Sequence, residues 1–227
     1  MGNDEEGRQL ATPEFWNARY DSKSDGVNPT HEWFQTYAAL EPFFQRHLFP
    51  LQANEGNPQI LHLGSGDSTV PSELSAQGFT NQLCVDFSHA VVDLMTSRNN
   101  NDANSGISWM LADVRDMHDM PSKSFDVAFD KGTLDAMIHG SPWSPPDEVL
   151  DNTGRYINEV HRVLKDDGVF LYVTYRQPHF MKPLLNRDNI WDLDMEYLSN
   201  DKGSFEYHGF ILRKSSTKDS GATSQAS

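Results

Sequence analysis

The sequence has a single cysteine, Cys84, so no disulfide bond can form within the chain. Cys84 lies inside an apolar run, where a cysteine is usually a small core residue and not a nucleophile. The nine histidines are scattered, without an H-x-x-x-H spacing or a Cys/His cluster. We therefore expect neither thiol chemistry nor a metal site built by the protein.

Positive charge is also scarce, since 18 Lys and Arg face 33 Asp and Glu and the formal net charge is −15. Contacts to phosphates need Lys or Arg, so we expect no nucleic acid partner. The acidic excess favours a basic protein partner through long-range attraction, although it also serves solubility alone. No run approaches the roughly 20 apolar residues of a membrane span, and residues 1–10 lack the apolar run of a secretory signal. We expect a cytoplasmic protein without a membrane partner.

Residues 59–88 predict a strand, a turn, a helix and a second strand. Apolar runs at 59–63 and 82–85 are separated by a Gly-Ser-Gly turn and by a segment, 69–77, that can be helical. Parallel strands joined in this way need a right-handed crossover, and the turn then lies at the carboxyl edge of the sheet. Ligands bind at that edge in open α/β sheets.

The turn and the second strand carry residues suited to a nucleoside. Gly64 and Gly66 lack the Cβ atoms that would keep a ligand from the backbone, although glycines after a strand can also be a simple turn. Asp86 ends the second strand, where a carboxylate can accept both hydroxyls of a ribose. Thr69 replaces the third glycine of a dinucleotide motif, and no Lys or Arg stands in the turn. A nucleoside without phosphates, such as S-adenosylmethionine, therefore fits better than NAD or ATP.

Two further segments end at the same edge. A strand at 108–111 precedes Asp113, which could accept from the exocyclic amine of adenine or lie in a surface turn. A buried strand at 125–129 is followed by Asp130-Lys131-Gly132-Thr133, where a substrate should meet the cofactor. Phe87 could cover a flat base or belong to the core.

The remaining chain predicts the supporting elements. Ser88 is a candidate cap for a helix at 89–96, and an amphipathic helix at 151–164 precedes a fifth strand at 169–175. A proline-rich loop, 141–149, is a candidate rim of the site. Two runs, 191–198 and 205–212, predict a terminal hairpin.

These segments together resemble the class I, or seven-strand, S-adenosylmethionine-dependent methyltransferases, and more narrowly the elongation factor 1-alpha lysine methyltransferase group. The specific matches are DKGTLDA at 130–136, W-x-x-R-Y at 16–20 and the EWF around Trp33. The resemblance implies a Rossmann-like, doubly wound α/β fold. Its seven-stranded sheet is mostly parallel, with a C-terminal antiparallel hairpin and helices on both faces. We expect one methyltransferase domain at 12–214, with cofactor-covering helices at 12–50, between disordered segments at 1–11 and 215–227.

The resemblance also implies S-adenosylmethionine as the cofactor and S-adenosylhomocysteine as the product. Its motif positions place the cofactor against Trp16, Tyr20, Trp33, Gly64, Asp86, Phe87, Asp113, Val114 and Lys131. Gly66 belongs to the same turn, and Arg19 is a candidate clamp for the cofactor carboxylate. Where the family has Cys-Gly-Asn, this chain has Ser65-Gly66-Asp67, which adds a carboxylate near the methionine end.

Trp16 and Tyr20 share one helical face and would form either a lid or core packing. Asp130 is assigned to the substrate side, for substrate orientation, with a role in the structure of the motif as the alternative, and Asp135 has the same two readings. No general base is named. The favoured function is protein-lysine N-methylation of an elongation factor 1-alpha-like protein. The alternatives are a small-molecule methyltransferase and a non-catalytic cofactor-binding partner protein.

Overall fold

A computed structural model describes residues 2–23, 32–99, 105–198 and 206–215. These residues form a seven-stranded sheet with the order β3-β2-β1-β4-β5-β7-β6. Strands β1 to β5 run parallel, and β7 lies antiparallel between β5 and β6. The strands are β1 (Ile60–Leu63), β2 (Gln82–Asp86), β3 (Ile107–Leu111), β4 (Phe125–Lys131), β5 (Leu164–Thr174), β6 (Trp191–Leu198) and β7 (Tyr207–Lys214).

Helices connect the parallel strands and precede the sheet. Those described are α1 (Gly2–Gln9), α2 (Pro13–Lys23), α3 (Tyr37–His47), α4 (Phe49–Glu55), α5 (Val70–Ala76), α6 (His89–Asn99), α7 (Thr133–Ala136), α8 (Asp147–Val163) and α9 (Pro178–Leu185). The longest of these, α8, has 17 residues and carries several charged side chains. No helix in the described ranges could cross a membrane.

The core lies on both faces of the sheet because the side chains of each buried strand alternate between them. Leu61 and Leu63 of β1 pack in one cluster with residues of α8 and α9, including Tyr156. Ile60 packs in a second cluster with residues of α3 and α5, including Phe44. Burial on both faces is what near-continuous apolar strands require. The predicted fold class, including the terminal hairpin, is confirmed.

Three boundaries differ from the sequence analysis. Helix α1 occupies most of the segment expected to be disordered at 1–11. Helix α8 begins at Asp147, inside the predicted loop, because Pro146 fixes an extended backbone before it and acidic residues fill its first turn. The Ser88 hydroxyl does not cap α6 but donates to Asn17 Oδ1 of α2 (2.7 Å). The predicted tail beyond Ser215 lies outside the described residues.

Candidate active site

A cavity of about 840 Å³ lies along the carboxyl edge of the parallel strands. We call the part over β1, β2 and β3 the β2 end, and the part beyond β4 and β5 the β5 end. The β2 end is lined by Gly64, Gly66, Asp86, Phe87, Ala112 and Val114. The β5 end is lined by Asp135, Ile138, His139, Gly140, Tyr175 and Arg176.

The turn after β1 can only be built with glycine. Gly64 has φ +60°, and a Cβ atom there would lie 2.2 Å from Thr133 Oγ1. Gly66 has φ +54°, and its Cβ atom would lie 2.6 Å from the Tyr20 hydroxyl oxygen. Both positions combine a left-handed backbone with a close neighbour, so the turn leaves the backbone exposed to the cavity.

Asp86 ends β2 with its carboxylate buried at the cavity wall. One oxygen accepts from the Gly66 amide (3.0 Å) and the other from the Ser88 amide (2.9 Å). Burial raises the pKa of Asp86 to about 6, although the backbone hydrogen bonds oppose that rise. The carboxylate is therefore mostly ionised at pH 7 and keeps acceptor capacity for a ligand.

Aromatic rings of α2 and the following segment cover the β2 end. Trp16 stacks on Tyr20 with ring centroids 6.1 Å apart, and Trp33 meets Trp16 edge-on at 5.8 Å. All three line the cavity, and the Arg19 guanidinium lies over Trp16 and Trp33 at 5.9 and 5.2 Å. Burial, and the charge of Asp86, raise the pKa of Tyr20 above its ordinary value, so its hydroxyl stays neutral.

Lys131 also lines the cavity, with its ammonium group in a buried ion pair. It donates to Glu32 Oε1 (2.6 Å) and to the Trp33 carbonyl oxygen (2.7 Å). Glu32 also accepts from the Ser68 hydroxyl (2.7 Å) and the Thr69 amide (2.9 Å). Burial acts to raise the pKa of Glu32, but the charge of Lys131 and these hydrogen bonds outweigh it and lower the pKa.

Glu32 was missed as a site residue by the sequence analysis. It stands 99 positions from Lys131, and only its place in the EWF motif gave a local signal. The residue ties the segment before α3 to the turn after β1 and to the end of β4. It therefore fixes three parts of the cavity wall relative to one another.

Asp113 follows β3 as predicted, but its carboxylate is held by Arg115. The guanidinium donates to both oxygens, at 2.9 Å from Nε and 2.6 Å from Nη2. Burial acts to raise the pKa of Asp113, yet the hydrogen bonds and charge of Arg115 lower it overall. Its neighbours Ala112 and Val114 line the cavity.

The position of Asp130 favours the structural alternative over the substrate side. Its carboxylate is fully buried and accepts from the amides of Thr133 (2.8 Å) and Leu134 (2.9 Å) and from the Tyr156 hydroxyl (2.7 Å). Among the described residues that line the cavity, Asp135 is present and Asp130 is not. Burial raises the pKa of Asp130 to about 7. Asp130 therefore supports the start of α7, which is the structural alternative for this motif.

Asp135 lies at the β5 end of the cavity. Its oxygens accept from the hydroxyls of Tyr172 and Thr174, both at 2.6 Å, and Arg176 Nε lies 3.2 Å away. The Arg176 guanidinium also donates to the Ile138 carbonyl oxygen (2.7 Å). Burial raises the pKa of Asp135 above its ordinary value. The neighbouring guanidinium balances the charge of this carboxylate.

The β5 end has an aromatic wall and a helical cover that the sequence did not predict. Phe34 and Tyr175 meet edge-on at 5.3 Å, and Phe34 adopts a left-handed backbone with φ +62°. A strained, non-glycine conformation beside a cavity points to a site whose shape is maintained by its surroundings. Helix α1 lies over this end, where a Cβ atom on Gly7 would be 2.9 Å from His139 Cβ.

The site offers ligand-binding groups and no assembled metal centre. Within the described residues no three His, Cys, Asp or Glu side chains converge as metal ligands. The β2 end presents bare backbone, a buried carboxylate and aromatic rings, which suit a nucleoside. The β5 end leaves room for a second molecule next to it.

Comparisons with known proteins agree with this geometry. A model described as "Methyltransferase domain" matches residues 61–172. The mouse protein EEF1A lysine methyltransferase 4 is 32% identical over 212 residues, covering 92% of this chain and 78% of that protein. Its bovine counterpart is 31% identical over 204 residues, which cover 88% of this chain and 74% of that protein. Human EEF1A lysine methyltransferase 2 is 28% identical over 168 residues, covering 71% and 66%.

Among solved structures, the 1,6-didemethyltoxoflavin-N1-methyltransferase of Burkholderia thailandensis aligns with a TM-score of 0.62. The alignment covers 94% of this chain and 91% of that enzyme's chain, with 18% sequence identity. That enzyme was crystallised with S-adenosylhomocysteine. At this identity the likeness shows the shared fold and not a shared substrate.

The residues present fit S-adenosylmethionine at the β2 end. Gly64 and Gly66 line the cavity without side chains, and Asp86 offers a buried carboxylate at the end of β2. The turn lacks a cation for phosphates, in agreement with a nucleoside that has none. This chain belongs to the S-adenosylmethionine-dependent methyltransferases, in the family of the EEF1A lysine methyltransferases.

Proposed function

We propose that this protein methylates the side-chain amine of a lysine in an elongation factor 1-alpha-like protein, and that it acts in the cytoplasm. The names of its relatives support the substrate, since two of them are at least 31% identical over most of this chain. The observation that carries the proposal is the two-ended cavity, in which a nucleoside site adjoins a second site with aromatic walls.

We assign the β2 end to the cofactor. Asp86 accepts the ribose hydroxyls, while Phe87 and Val114 flank the base. The turn at Gly64 and Gly66 admits the cofactor to the backbone. Trp16, Tyr20 and Trp33 cover it, and Arg19, Lys131 and Asp67 are assigned to its methionine end. Asp113 is assigned to the adenine amine. In that role its carboxylate accepts from the amine and from Arg115 together.

Bound S-adenosylmethionine supplies a methyl group on a sulfonium, which is a good leaving group. The lysine that receives it must first lose a proton, at a cost of roughly 4 to 5 kcal/mol at pH 7. Enclosure at the β5 end lowers that cost, because burial disfavours an ammonium ion. The Asp135–Arg176 pair is balanced in charge, so it does not trap the charged form. The residues contribute mainly by positioning, and we assign no general base.

One observation favours a small-molecule acceptor as the second candidate. Helix α1 packs on His139 and lines the cavity with Glu6, Gly7 and Gln9. A cover of this kind encloses a small acceptor without further movement. A protein lysine has to enter beside α1 or displace it.

Incubation with methyl-labelled S-adenosylmethionine and a cytosolic extract tests the proposal. We expect one labelled protein, identified by mass spectrometry as elongation factor 1-alpha and methylated on a lysine. An Asp86→Ala variant should lose the label, which controls for other methyltransferases in the extract. Label confined to small molecules would support the second candidate. Cofactor binding without any labelled product would instead indicate the non-catalytic partner protein.

A further inference from the structure

A second concave surface lies beside the β5 end of the cavity. This groove, which we call the Trp143 groove, has a volume of about 430 Å³. It is walled by Pro142, Trp143 and Pro145 on one side and by His179, Phe180 and Leu184 on the other. The lining is mostly apolar, with Thr153, His179 and Arg187 as its polar members, and nothing in the catalytic arrangement uses it.

Trp143 stands out because 81% of its surface is exposed. Its ring packs edge-on against Phe180, with centroids 4.8 Å apart, and lies 6.1 Å from the His179 ring. The side chain is therefore held in place by neighbours while most of it faces solvent. Exposed tryptophans that are held in this way are typical anchors of protein interfaces.

Close packing at Arg187 also shapes the groove. The Arg187 guanidinium lies against α8 at Gly154, where a Cβ atom would be 2.6 Å from Nη2. Arg187 lines the groove together with Pro183 of α9. Glycine at position 154 allows this close approach and lets the Arg187 guanidinium pack against α8.

The groove is continuous with the active site along two chain segments. Ile138, His139 and Gly140 line the cavity, and the same segment continues into Pro142 and Trp143. On the opposite wall Tyr175 and Arg176 line the cavity, and the chain continues into α9. A bound polypeptide with a residue at the β5 end would have its neighbouring residues over this groove.

The charged residues beside the groove favour a basic partner, as the negative net charge of the chain does. Asp147, Glu148 and Asp151 are exposed in the first turns of α8, next to Leu150 of the groove. Three exposed cations, Arg155, Lys182 and Arg187, belong to the same two helices or follow them directly. Arg187 pairs with the exposed Asp188, so four acids stand against three cations. A basic residue on the partner would gain from this edge.

Resting on the proposed function, we propose that the Trp143 groove docks the segment of the protein substrate next to the methylated lysine. An apolar side chain of that segment occupies the groove, and a basic side chain faces Asp147 and Asp151. Selection of the protein substrate is then separated from the chemistry of the cavity.

Steady-state methylation of purified elongation factor 1-alpha by a Trp143→Ala variant tests this. We expect KM for the protein substrate to rise at least about tenfold, as for an interface anchor, with kcat and cofactor affinity within about twofold of wild type. The matched control is Tyr197→Ala, which removes another exposed aromatic ring, 68% exposed on β6. It should leave KM unchanged.

A second variant, Asp147→Asn combined with Asp151→Asn, should raise KM at low salt and match wild type at high salt. An unchanged KM for Trp143→Ala overturns the docking proposal, and so does a loss confined to kcat. Thermal unfolding of each variant separates a folding defect from a loss of docking, and the salt dependence of KM separates a charge effect at Asp147 and Asp151 from a loss of helix stability. If wild-type protein methylates no lysine of elongation factor 1-alpha, the proposed function fails first and the docking proposal with it.

Discussion

The two ends of the cavity are built in different ways. At the β2 end the residues beneath the aromatic cover follow their strands directly, as Gly64 follows β1 and Asp86 ends β2. At the β5 end the wall combines α1, Phe34, the residues after α7 and the residues after β5. The β2 end is therefore written in local motifs, whereas the β5 end exists only when distant segments pack together.

The largest expected effect tests the β2 end by comparing two acids at strand ends. Asp86→Ala should weaken binding of S-adenosylmethionine at least about 100-fold, since charge-assisted hydrogen bonds are each worth about 1.5 to 3 kcal/mol. Asp113→Ala should cost about fivefold or less, because Arg115 already occupies its carboxylate. Isothermal titration calorimetry measures both. Equal losses would show that the two strand ends contribute alike.

The same titration has a defined pH dependence. Burial raises the pKa of Asp86 to about 6, and the ionised form is the one that accepts from two hydroxyls. Cofactor affinity should therefore be complete above about pH 7 and weaken as pH falls through about 6. Affinity that stays constant down to pH 5 would contradict the role given to this carboxylate.

An intermediate effect is expected beneath the β5 end, at Asp130. Asp130→Asn should lower the free energy of unfolding by about 1 to 3 kcal/mol. The asparagine NH2 group would replace one carboxylate oxygen and would then face a backbone N–H group that needs an acceptor. Binding of cofactor should change little, since Asp130 does not line the cavity as Asp135 does. Urea unfolding and calorimetry measure the two quantities separately. A loss of binding without a loss of stability would return Asp130 to the substrate side.

The pH dependence of this effect follows from the direction of the shift. The folded protein holds the Asp130 proton up to about pH 7, whereas the ordinary pKa is 3.8. Between these values the folded state binds more protons, so stability falls as pH rises through that window. Asp130→Asn should remove this part of the slope. Parallel wild-type and variant curves between pH 4 and pH 7 would contradict it.

A further comparison concerns Glu32, which joins the two ends. Glu32→Gln should weaken cofactor binding about tenfold, because the buried Lys131 ammonium loses its counter-charge and the turn loses an anchor. The double variant Glu32→Gln with Lys131→Met should recover stability but not affinity, since it removes the unpaired charge together with a cofactor residue. Recovery of both would indicate that the pair only supports the fold.

Prediction from the sequence succeeded for features that depend on a few adjacent residues. The glycine turn, the acid at the end of β2 and the buried strand before DKGTLDA were found because each follows from a few adjacent residues. It left two roles open for Asp130 and did not predict α1, because these features depend on the distant partners Tyr156 and His139. It overlooked Glu32, whose partner Lys131 is distant in the chain.

By itself, the sequence determined the order of the strands along the chain, the turn that admits a nucleoside and the family. These depend on hydrophobic periodicity and on positions that only glycine can occupy, both of which are read over short stretches. Only the tertiary structure decided which aspartate reaches the cavity, which cation neutralises Asp113 and how the Trp143 groove adjoins the site. A carboxylate has the same chemistry wherever it stands in the chain, so its role follows from the burial and the partners that packing gives it.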